Sequence, residues 1–176
     1  MYKKLLPLGL AIILALGLVV PAFAETATIV LTAGTLSVTV ANITFPDTAL
    51  TGAAQLVADN SANAWQAADA TGTGAGWHLN INATDFSDGS HTILASEMDM
   101  QLTNANITVV SGKAKPTSSF TVMTPLANAD QEFASAALTE GMGTYNLVPD
   151  FQLSIAADAY AGSYSSTVTV TAVAGP

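Results

Sequence analysis

The sequence predicts an all-β fold, an antiparallel β-sandwich of the Ig-like, Greek-key type. Three observations predict it. Short apolar–polar alternations recur along the chain, separated by Gly, Pro, Asn and Asp, which is how half-buried strands and their turns read. Thr and Val are abundant, and branching at Cβ suits a pleated sheet. No stretch shows the 3.6-residue period of an amphipathic helix. Hydrophobic residues make up 50% of the 176, so one sizeable core can be filled.

Residues 1–24 read as a secretory leader rather than as part of the fold. Lys3 and Lys4 precede the apolar run from Leu5 to Val20, and Ala22-Phe23-Ala24 is a small-x-small cleavage site. Residues 25–176 are then a single domain, with no repeat and no linker. The leader's run is shorter than a spanning helix needs, so no transmembrane segment remains after cleavage.

The strands follow in order. Thr28 to Val40 predicts one long strand or two short ones pivoting at Gly34, with Leu36, Val38 and Val40 on one face. Asn42 to Asp47 reads as a strand end and turn. Ala54–Ala58 and Ala64–Ala70 are further strands, the second holding Trp65. Three glycines in Gly72–Gly76 then free the backbone to turn. The run after them puts Trp77, Leu79, Ile81 and Ala83 on one face and His78, Asn80, Asn82 and Thr84 on the other. Trp77 is thus an inward anchor at the start of a core strand.

Thr84 to His91 is a polar loop around an Asp88-Gly89 turn. Met98, Met100 and Leu102 alternate inward as core fillers. Asn106–Val110 is a short strand and 111–119 a loop holding Lys113, Lys115 and Pro116. Phe120 and Val122 start a strand that Pro125 ends. Gln131 to Leu138 fits a strand or a short helical turn. Thr144–Leu147 is a strand, and Pro149 marks an edge or a bulge. Phe151, Leu153 and Ile155 pair as a long-looped β-hairpin with the strand carrying Tyr164, Val168, Val170 and Ala172.

Chemistry is sparse. There is no cysteine, so disulfides, thiolate metal sites and lipid attachment through an N-terminal cysteine are out. There is no arginine, and the formal net charge is −9; losing Lys3 and Lys4 with the leader makes it more negative. Nucleic acid needs clustered Lys or Arg, so it is excluded as a partner. His78 and His91 are the only imidazoles, one on a strand's polar face and one in a loop. No acidic pair is singled out for glycan hydrolysis. Asp85 and Asp88 could offer oxygens to Ca²⁺, but no complete loop motif surrounds them, and a plain turn is the better reading.

Two stretches carry a family resemblance. Trp77-His78-Leu79, after Gly74-Ala75-Gly76, resembles the proximal signature of the WxL domain, a surface module of Gram-positive bacteria. The C-terminal run from Tyr164 to Pro176 resembles the distal signature. Tyr164, Thr169, Thr171 and Pro176 hold their places, while Val168, Val170 and Ala172 replace Leu, Trp and Leu. The resemblance covers nearly all of residues 25–176. It implies a secreted, extracellular, non-enzymatic protein that attaches non-covalently to peptidoglycan and other cell-wall polymers and to other cell-surface proteins.

The residues expected to serve binding are Trp77, Leu79, Tyr164, Thr169 and Thr171 from the two signatures, with Trp65 and Tyr160 as further aromatics. No cofactor is expected. So acidic a domain is repelled by wall phosphates and carboxylates within a Debye length of ~8 Å, so binding has to rest on aromatic stacking, hydrogen bonds or bridging divalent cations. The alternative is a structural subunit of a surface layer or appendage assembling through strand edges. A secreted glycan hydrolase ranks below both.

Overall fold

The computed structural model describes residues 27–60 and 64–176. The expected leader, residues 1–24, lies outside them. The chain divides into two units, residues 1–31 and 32–176. Of the first, only residues 27–31 are described; they belong to no strand. Every sheet lies in the second. Among the described residues no helix is long and apolar enough to cross a membrane.

Among the described residues, fourteen strands and two short 3₁₀ turns make up the second unit. One sheet runs β1 (Leu36–Thr39), β3 (Trp65–Asp69), β12 (Gly143–Leu147) and β8 (Ile107–Gly112). A second runs β10 (Thr124–Pro125), β7 (Met98–Gln101), β13 (Asp150–Ile155) and β2 (Gln55–Ala58). A third runs β14 (Val168–Ala174), β4 (Trp77–Ala83), β11 (Gln131–Ala136) and β9 (Thr117–Ser118). β5 (Phe86–Ser87) and β6 (Thr92–Ile93) form a small hairpin. Each ladder is antiparallel. Apart from β5–β6, no paired strands are sequence neighbours. Long-range pairing of this kind marks a sandwich and slows folding, because loops must close before contacts reward them.

The predicted alternation holds best in β4. Trp77, Leu79, Ile81 and Ala83 are buried while His78, Asn80 and Asn82 are half-buried. Met98, Met100 and Leu102 also point into the core. Trp65 ties the three sheets together. Its ring centroid lies 6.2 Å from that of Phe133 in the third sheet and 5.7 Å from that of Phe151 in the second. Edge and tilted geometries of this kind suit the ring quadrupoles.

Trp77 is fixed more tightly. Its indole Nε1 donates a 2.9 Å hydrogen bond to the Gly141 carbonyl, and its ring sits 6.1 Å from Tyr145. Gly141 has φ +72°, and a Cβ there would fall 2.3 Å from Ala136 Cβ and 2.6 Å from Trp77 Nε1. Only glycine fits. Gly76, at φ +74°, is under the same constraint: a Cβ would stand 2.5 Å from the Ala136 carbonyl oxygen. The glycine-rich approach to Trp77 therefore serves close backbone packing.

Several expectations need correction. Residues 27–35 form no strand, which begins only at Leu36. Residues 42–47, expected as a strand end and turn, contain no strand residue. Phe120 is buried but lies outside the strands, and Val122 is exposed; the short strand there is Thr124–Pro125. Gln131–Ala136 is a strand. A bulge between Glu132 and Ala134 lets consecutive Phe133 and Ala134 both enter the core, which masks the period of two. Pro149 sits in the link where the chain passes from β12 in the first sheet to β13 in the second. The predicted C-terminal hairpin does not form: β13 pairs with β7 and β2, whereas β14 crosses to β4.

The Trp77–Gly141 contact is testable. Trp77→Phe removes a buried donor and part of a ring, and should cost about 2–4 kcal/mol. Gly141→Ala forces a left-handed alanine against the indole and should cost about 3 kcal/mol or more. Both variants break one contact, so the double variant in urea unfolding should lose clearly less than the sum. Simple additivity would dissolve the coupling.

Candidate functional site

The signature residues separate into two groups. Trp77 and Leu79 have no exposed surface, and Trp65 has 1%. These three side chains build the interior and present nothing to a polymer. Thr169 and Thr171 stand exposed on β14, opposite Asn82 and Asn80 of β4. They extend a polar outer face on the third sheet, where Asn82 Nδ2 donates to Asp130 Oδ1 and His78 Nδ1 lies 2.8 Å from the Gly175 carbonyl oxygen.

Tyr164 and Tyr160 lie elsewhere, at the end of the sandwich formed by the loops 84–94 and 156–167. The Tyr164 hydroxyl donates to the Tyr160 carbonyl oxygen at 3.0 Å, which fixes the loop between them. Tyr160 is 63% exposed, and its ring stacks on His91 with centroids 4.0 Å apart and planes 14° from parallel. Tyr160 is the exposed member of this flat pair, and His91 is half-buried beneath it. Partial burial, and next the neighbouring Asp88 carboxylate, hold the Tyr164 phenol above its ordinary pKa.

Asp88 holds the opposite loop in shape. Its Oδ1 accepts from the backbone N–H groups of Ser90 and His91, both at 2.7 Å, and its Oδ2 lies 3.1 Å from His91 Nδ1. These bonds, the backbone donors above all, lower its pKa to about 2. Gly162 approaches so closely that a Cβ would lie 2.5 Å from Asp88 Oδ2. Asp85 Oδ1 accepts from the Ala95 N–H at 2.8 Å and from Asn128 Nδ2 at 3.3 Å. The two carboxylates proposed for Ca²⁺ thus both bind their own chain. Among the described residues no group of three His, Cys, Asp or Glu side chains is placed to hold a metal ion.

Three clefts open around Tyr164. The largest, of about 660 Å³, lies between segments 42–48 and 162–168, with Val57, Phe86, Met98 and Leu153 behind it. Two others, of about 330 and 320 Å³, flank Tyr160, and the second is bordered by His91. Apolar walls with a few convergent hydroxyls and carboxylates are the usual make-up of a ligand site. Residue order alone gave no sign that His91 meets Tyr160, because the contact depends on how the third sheet returns its last strand. The Tyr-x-x-x-Tyr spacing and the Asp-Gly turn were its only local traces.

A family model described as WxL domain, surface cell wall-binding, matches residues 24–172. No curated protein and no solved structure matches the chain.

The Asp88 loop yields a pH prediction. The carboxyl's folded pKa lies below its ordinary 3.8, so its contribution is complete above the normal carboxylate range and disappears as pH falls through about 2. An NMR titration of the Ser90 and His91 amides should show a midpoint about 2. Asp88→Ala should speed hydrogen exchange at those two amides and leave the β4 amides unchanged.

Proposed function

The chain belongs to the WxL family, and from that premise we propose that it attaches non-covalently to peptidoglycan through the aromatic end of the sandwich. The family's description, surface cell wall-binding, supports a binding role. The single observation that carries the site is the exposed Tyr160–His91 stack beside the clefts at Tyr164. Sugar rings offer C–H faces to aromatic platforms, and the neighbouring Thr92, Ser154 and Asp158 supply hydrogen-bond partners. Stacking also suits the charge. A chain of formal net charge −9 gains nothing from ion pairing with an anionic wall.

Tyr164 acts in this proposal as the residue that holds Tyr160 in place. Trp77, Leu79 and Trp65 support the scaffold and do not touch the ligand. Thr169 and Thr171, on the polar outer face of the third sheet, are the contacts proposed for other surface proteins. Residues 1–24 are a leader removed on export, and residues 25–176 are one domain.

Sedimentation with purified sacculi tests this. Tyr160→Ala should weaken binding about fivefold to tenfold, the range of a lost stacking contact. Thr169→Ala should leave wall binding as it was, and a chelator should have no effect. Failure of the unmodified chain to sediment, or equal binding by Tyr160→Ala, would contradict the proposed site.

A further inference from the structure

Ile29, Val30 and Leu31 are the most exposed large aliphatic residues among those described, at 82%, 86% and 84%. Three consecutive aliphatics, flanked by Thr28 and Thr32, have the composition of a strand yet belong to none. From Thr26 to Pro46 the chain carries no charged residue. The segment is therefore a neutral, β-prone, unburied stretch that precedes the first strand in sequence.

The 660 Å³ cleft is its counterpart. Ile43, Phe45, Ile93, Ile155 and Val168 line it and stay only partly buried although they pack on the core. Here the core is not fully closed. β2 forms the edge of the second sheet on one side, and β14 the edge of the third on the other. Segment 42–48 passes between them in no strand.

Chain reach decides which copy can fill it. The Gly34 N–H donates to the Ala70 carbonyl, and the chain then runs along β3 to Thr39. The cleft begins at Asn42, beyond the far end of that strand. Gly34 to Asn42 spans eight residues, roughly 26 Å when extended. Val30 is four residues from Gly34, a reach of about 14 Å at most. It cannot return to its own cleft.

We propose that Thr28–Thr32 of one copy inserts as a donor strand into the cleft of a second copy. Ile29 and Leu31 share one side of an extended segment and enter the cleft, while Val30 faces outward. Neutrality favours this contact over others. The acidic side chains lie from Asp47 to Asp158, with Glu25 before the tail, so surfaces built from that span repel one another between copies, whereas the tail brings no charge to a cleft whose one acidic lining residue is Asp47. The free edge of β8 is less suitable, because a bulge interrupts it and Lys113 and Lys115 follow it. Donor and acceptor are different surfaces, so the contact is head-to-tail and grows as an open chain of subunits.

The chain has no cysteine, which makes the test clean. A mixture of Leu31→Cys and Ser163→Cys chains should form a disulfide heterodimer under mild oxidation, well above the level of either homodimer. In analytical ultracentrifugation the full chain should grow in size with concentration, while Ile29→Asp stays monomeric with an unchanged Tm. Three results would overturn the proposal: a wild-type monomer at every concentration, Ile29→Asp associating like wild type, or a Leu31→Cys/Ser163→Cys double variant closing within one chain. Sacculus binding by Ile29→Asp reads the wall-binding site separately, so either idea can fail alone.

Discussion

A single buried contact organises the domain: the Trp77 indole against the Gly141 backbone. The indole donates to the Gly141 carbonyl, and that glycine has no side chain because the ring occupies the space. Gly76, immediately before the tryptophan, brings its own backbone against Ala136. Tyr145 of the first sheet leans on the same indole. A buried donor left without a partner is costly, and a ring this large gains by being enclosed. One side chain thus joins the third sheet, the first sheet and the turn at 137–143. The proximal signature's Trp77 and Leu79 pack the interior and have no exposed surface.

The residues proposed for wall contact gather where packing is less complete. The interior is dense around Trp65, Trp77 and Phe133. It thins toward Ile43, Phe45 and Val168, where the largest cleft opens. In this chain Val170 stands where the distal signature has tryptophan, and it is only partly buried. Beyond the cleft, short loops held by Asp88, Tyr164 and Gly162 carry the exposed aromatic pair. A rigid body with a worked rim is the usual division of labour in a sandwich.

Much of the fold was legible because one face of each main strand is buried. β4, β7 and β13 alternate cleanly, so a period of two read them correctly. β11 did not declare itself because its bulge puts two neighbours inward. The last strand was read as a hairpin partner of β13 because proximity in sequence usually means pairing; here the turn at 156–162 carries the chain across to the third sheet instead. Alternation says which face is inward, not which sheet receives it. The site was legible only in part. Tyr160 and Tyr164 were picked out as aromatics, but the stack on His91 joins positions that only the folded chain brings together. Trp65 and Trp77 look like binding residues by type, and their burial removes them from that role.

Hydrogen exchange of the Trp77 indole N–H, followed by NMR in D₂O, tests the central claim most directly. The account predicts that this proton exchanges as slowly as the most protected β4 amides, because it leaves only when the domain unfolds. Exchange complete within the mixing time would mean the indole is open to water, and the peg at the heart of this account would not exist.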